Sequence, residues 1–218
     1  MQGLWQRFVS SLTPAVRLAL SVWTILYLLG IALGSFHIAN LAVALMLTGP
    51  AVFHGQVWRL ASYALLPLNL LDLVMSGISL IIFGGMLERV WTRRDFLLYC
   101  LFAAIGAGLV KIAFQSINPL PLLGPSPIAF ALMAATGRLF AHEKIILPPS
   151  FEMNLRGAVI VLATLSFFTM GCMAGWVNAI IRVSGGVFGI LYLWLRSEIE
   201  QPREARPAVS QRINRLEL

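Results

Sequence analysis

Between residues 15 and 195 the chain is a succession of long apolar runs separated by mostly short connections. A helix needs roughly 20 apolar residues to cross the hydrocarbon of a bilayer, and most of these runs approach that length. Inside hydrocarbon a backbone must satisfy its own polar groups, which a helix does within one segment. Hydrophobic residues make up 59% of the chain and charged residues 11%, against about 25% charged in a soluble domain. A chain of this kind cannot cover itself with polar surface. It reads as an all-α integral membrane protein.

The runs cover about 15–36, 69–87, 95–117, 126–140, 155–172 and 176–195, which predicts a six-transmembrane-helix bundle over residues 15–196. Residues 1–14 form a short amphipathic segment expected at the cytoplasmic interface, with no cleavable signal pattern. Residues 197–218 form a polar tail rich in Arg and Glu. Residues 37–67 read as a long, partly helical loop embedded near the interface. The fourth run is short, so its mouth is expected below the membrane surface.

Six spans put both termini on one side. All Lys and Arg residues other than Arg59, Lys111 and Arg182 then fall on the side of the termini; Arg59 lies in a loop on the other side, and Lys111 and Arg182 lie within spans. The positive-inside rule makes that side cytoplasmic, and the expected location is a bacterial inner membrane. This also accounts for the net charge of +7 without nucleic acid; the charge faces membrane lipids. Cys100 and Cys172 lie in apolar runs and read as buried packing thiols. His37, His54 and His142 show no metal-ligand spacing, so no metal and no cofactor is expected.

Four stretches, in this order, resemble the rhomboid family. Gly55-Gln56-Val57-Trp58-Arg59-Leu60 is similar to its first-loop Trp-Arg motif. Gly84-Gly85-Met86-Leu87-Glu88-Arg89 resembles the end of its second helix. Gly124-Pro125-Ser126-Pro127 is similar to the Gly-x-Ser-Gly that opens its fourth helix. Gly185 and Gly189 give the Gly-x-x-x-Gly of its sixth. The resemblance covers about 15–196 and implies a rhomboid-like bundle. Active members are intramembrane serine proteases in which the fourth-helix serine attacks and a sixth-helix histidine takes its proton.

The resemblance assigns Ser126 to the serine, Arg182 to the base position, and Asp72 and Ser76 to the oxyanion positions. A guanidinium stays protonated and cannot act as a base. An aspartate opposes a developing oxyanion, and Pro127 lacks the N–H of the glycine it replaces. Ser126 therefore reads as vestigial, a first-turn serine that caps its helix. Lys111, near a helix end, is expected to snorkel.

Asp72 and Arg182 are intramembrane charges, each costing about 2.5–3.5 kcal/mol at a helix centre. Either they pair across the former site, directly or through water with Asn178 joining, or Asp72 lies hydrated near the outer interface. Trp58 and Arg59 read as an anchor for the first loop, Glu88 and Arg89 as a loop-capping cluster, and Gly185 and Gly189 as close helix packing.

Inactive rhomboid-like proteins, derlins among them, bind membrane-protein clients. The resemblance thus implies a pseudoprotease that binds transmembrane partners for quality control or assembly. The alternatives are a structural accessory subunit of a larger membrane complex and a divergent protease using Ser126.

Overall fold

The computed structural model describes residues 13–32, 42–141, 144–147 and 151–213. His37, His142 and residues 1–12 of the N-terminal segment lie outside the described residues. The chain begins with α1 (Pro14–Ala32), then α2 (Gly49–Phe53) and α3 (Arg59–Ser62), the latter continuing as a 3-10 turn over Tyr63–Leu65. The second long segment is α4 (Leu70–Ser79), a π-helical turn (Leu80–Gly84) and α5 (Gly85–Val90) without a break. Then come α6 (Arg93–Ala113), α7 (Ser126–Leu139), a hairpin of β1 (Lys144–Leu147) and β2 (Phe151–Asn154), α8 (Leu155–Ala174) and α9 (Trp176–Ile213).

Among the described residues, five helical segments are long and apolar enough to cross a membrane: Pro14–Ile31, Leu70–Val90, Arg93–Ala113, Leu155–Ala174 and Trp176–Arg196. The sixth expected span, α7, has 14 residues. At about 1.5 Å per residue it rises roughly 21 Å, short of the roughly 30 Å of hydrocarbon. Most of α7 is buried by its neighbours rather than by lipid. The loop after α7 is an antiparallel hairpin in which Lys144 pairs with Asn154 and Leu147 with Phe151. α9 continues past Arg196 to Ile213, so the change to polar sequence there is not a change of backbone.

The helix starts are fixed by side chains. Asn69 accepts from the Asp72 N–H at 2.8 Å and caps α4, and Thr92 accepts from the Asp95 N–H at 3.3 Å at the head of α6. The cap of α1 comes from far along the chain. The Glu88 carboxylate accepts from the N–H groups of Ala15 at 2.7 Å and Val16 at 3.0 Å, and from the Thr13 hydroxyl. Unpaired N–H donors at a helix start carry partial positive charge, so a carboxylate suits them. Glu88 thus has a specific structural role, while Arg89 beside it is exposed in the last turn of α5.

The core lies between α6, α7 and α9. Tyr99 on α6 is fully buried, donates to the Ala131 carbonyl of α7 at 2.5 Å, and stacks edge-on against Trp91 and Tyr192. α9 meets its neighbours at glycines: a Cβ on Gly185 would lie 2.9 Å from Pro127 Cα of α7, and one on Gly189 3.0 Å from Tyr99 Cζ of α6 and 3.2 Å from Ala131 Cβ of α7. Such contacts leave room for hydrogen only, which is the small-residue packing expected for these glycines. At one end of the bundle Arg196 pairs with Asp95 at 3.1 Å, beside the Glu88 cap of α1. Cys100 is half-buried, but Cys172 is exposed on α8 rather than buried in the bundle.

Candidate functional site

The site is the approach to α7. Leu47 and Leu122 form an isolated antiparallel bridge, each N–H bonding the other's carbonyl at 3.0 Å. Gly124 N–H donates to the Tyr63 carbonyl at 3.0 Å, and the buried Tyr63 hydroxyl donates to Ala104 O on α6 at 2.8 Å. The first loop is therefore the scaffold on which the serine segment rests. Arg59 builds that scaffold: Nη1 donates to the carbonyls of Val43 at 2.6 Å and Met46 at 2.8 Å, and Nε to Gln56 Oε1 at 2.6 Å. Trp58 points outward and is exposed, as an interfacial anchor would be.

Gly124 has φ +111°, a conformation open to glycine. A Cβ here would press on the Asp72 carboxylate, lying 3.3 Å from its Cγ, and would sit 3.4 Å from Arg182 Nη1. The backbone of Gly124 thus runs between the two charges. Ser126 and Arg182 are both buried, 5% and 7% exposed. Arg182 Nη1 donates to Ser126 Oγ, and Nη2 donates to the Leu123 carbonyl at 3.2 Å. Arg182 Nε is buried with no acceptor among the described residues.

The expected group of residues is brought together, with three corrections. Asp72 and Arg182 form no direct salt bridge among the described residues; each has its own hydrogen-bond partners. Asp72 is not at a helix centre but in the first turn of α4, where its Oδ2 accepts from Leu68 N–H at 3.1 Å and the Ser76 hydroxyl donates to Oδ1 at 3.5 Å. A carboxylate at a helix N-terminus is favoured by the helix dipole, which offsets part of the cost of the charge there. Second, Ser126 does not cap α7 with its side chain; its oxygen accepts from Arg182 instead.

Third, Asn178 does not join the Asp72–Arg182 group. It accepts from Asn118 Nδ2 at 2.7 Å and donates to Ala174 O at 2.8 Å. Lys111 belongs to this second polar set: it donates to the Asn118 carbonyl and is fully buried, so it does not snorkel. Sequence reading missed Asn118, whose position in a loop gave no signal. Asn69, three residues before Asp72, does carry one, because Asn-x-x-Asp ahead of an apolar run resembles a capping pattern.

Among the described residues, no group able to act as a base hydrogen-bonds Ser126. Arg182 cannot take a proton, and Asp72 makes no hydrogen bond to Ser126 among the described residues. His54 is exposed at the end of α2. Pro127 follows the serine with no N–H to offer. Against known proteins, a family model described as a rhomboid domain matches residues 54–199, more than half of the chain. No curated protein matches the sequence.

Proposed function

The chain belongs to the rhomboid family, and on that premise we propose that it is a catalytically inactive member that binds transmembrane partner proteins. The observation that carries this reading is the Arg182–Ser126 hydrogen bond. The serine oxygen that would attack is the acceptor of a permanent cation, at the position the family gives to its histidine base. The Asp72 carboxylate stands beside Gly124, where an oxyanion would need donors. The features that hold the fold are kept: the Arg59 scaffold, the Gly185 and Gly189 packing, and the short buried α7. A rhomboid scaffold whose serine is engaged by a cation fits a binding role. Sequestering a client or assembling a complex both fall within it, and the positive-inside charge bias supports a cytoplasmic side for the termini.

Two measurements test this. A fluorophosphonate probe applied to the protein in mild detergent, beside an active rhomboid protease, is expected to leave Ser126 unlabelled. Photo-crosslinking from first-loop positions in intact membranes is expected to give adducts with other membrane proteins. Labelling abolished by Ser126→Ala would establish the divergent protease instead. Absence of protein adducts from every position would remove the binding reading.

A further inference from the structure

A crevice of about 580 Å³ opens between α7, α8 and α9, away from Ser126. Its walls are apolar, among them Phe130, Met133, Ile160, Ala163, Val187 and Ile190. Arg138, in the last turn of α7, and Arg156, in the first turn of α8, complete the lining. Both belong to the end of the bundle that carries Glu88, Asp95 and Arg196, because α7 runs toward that end and α8 starts from it. Among the described residues, no carboxylate lines the crevice. Both arginines are exposed, and neither makes an ion pair among the described residues.

We propose that this crevice is a binding site for one anionic phospholipid, with its phosphate on Arg138 and Arg156 and an acyl chain between α8 and α9. Any arginine at a bundle end meets headgroups. These two differ in flanking a concave apolar space of the size that holds small ligands, about 300–1,000 Å³. The ligand must be apolar along most of its length and negative at one end, which describes a phospholipid. Basic pockets between membrane helices recognise such headgroups through the same pairing. A partner helix would need an acidic residue at headgroup level to satisfy both guanidinium groups, whereas an anionic lipid brings its charge there by construction. The packing of α8 leaves the space open: Ile160 and Val187 are 56% and 63% exposed, although they face each other's helices. This inference does not depend on whether Ser126 is catalytic.

The test is native mass spectrometry of the full chain in mild detergent, titrated with phosphatidylglycerol or with phosphatidylcholine of the same acyl chains. The expected result is one retained phosphatidylglycerol at concentrations where phosphatidylcholine is not retained. Arg138→Gln with Arg156→Gln is expected to weaken that binding about tenfold or more, at roughly 1 kcal/mol per basic residue. Ala163→Phe, which fills the crevice and leaves both charges, is expected to abolish it, with thermal melting used to confirm that each variant folds. Equal retention of the two lipids, or retention unchanged in the double arginine variant, would overturn the proposal. So would a photo-crosslinker at Val187 that captures a protein rather than lipid.

Discussion

Leu47 and Leu122 exchange both of their backbone hydrogen bonds, each at 3.0 Å, and so tie the first loop to the segment that ends at Ser126. The loop itself is held by Arg59, whose guanidinium reaches two carbonyls in 42–46 and the Gln56 side chain. Replacing Arg59 by Lys keeps the charge but loses the planar fork that serves three acceptors at once. The Leu47 and Leu122 amides are expected to exchange with deuterium at least tenfold faster in Arg59→Lys, while the amides of α6 keep their protection. Hydrogen exchange read by mass spectrometry in detergent measures both.

Ser126 and Arg182 satisfy one another, so their substitutions should not be additive. Ser126→Ala leaves a buried guanidinium N–H without its acceptor, a loss of about 1–3 kcal/mol. A double-mutant cycle of Ser126→Ala with Arg182→Met is expected to give a coupling energy of that order. In a protease with a free nucleophile, the same serine substitution would be neutral or stabilising. Thermal unfolding in one detergent gives all four corners of the cycle.

The α7–α9 contact grades its glycines. A Cβ at Gly185 would lie 2.8 Å from the Pro127 carbonyl carbon, whereas one at Gly186 would lie 3.2 Å from Phe130 O. Both obstacles are α7 backbone, but the first lies closer than a Cβ can approach and cannot yield without moving a helix, whereas the second needs a shift of only a few tenths of an ångström. Gly185→Ala is expected to cost about 1–3 kcal/mol, in the range of overpacked cores. Gly186→Ala should cost clearly less. The order of the two melting temperatures checks this.

Glu88→Ala removes the acceptor shared by Thr13, Ala15 and Val16. Hydrogen bonds to charged groups contribute about 1.5–3 kcal/mol, so a loss near 2 kcal/mol is expected. Glu88→Gln keeps one neutral acceptor oxygen and should recover part of it. Stability curves for the three proteins in the same detergent separate these outcomes.

What the sequence disclosed, and what it did not, follows from the range of each interaction. The spans, the glycine contact and the anchoring role of Arg59 could be read from local composition and spacing, because lipid and close packing act on every residue of a segment. Helical spacing also put Asn178 and Arg182 on one face. It could not show that Asn178 would meet Asn118, since that depends on how the connection from 114 to 125 folds. Lys111 was misread for the same reason: the carbonyl of Asn118 lies over its end of α6. Asp72 was legible in principle, because Asn69 three residues earlier marks a helix start, but hydropathy alone placed it inside a span. The Glu88 cap has no local signature, as its partners lie 72 and 73 residues away.

That separation along the chain also imposes an order on biogenesis. α1 leaves the ribosome and enters the bilayer well before residue 88 has been made, so its first turn must meet water or headgroups on its own. Only when the second membrane segment has been inserted through Val90 can the carboxylate reach back and close the end of α1. The attachment of α1 therefore follows the insertion of the second membrane segment. A stalled chain cut short of residue 88 would carry a first helix that is threaded through the membrane but not yet fastened to its neighbour.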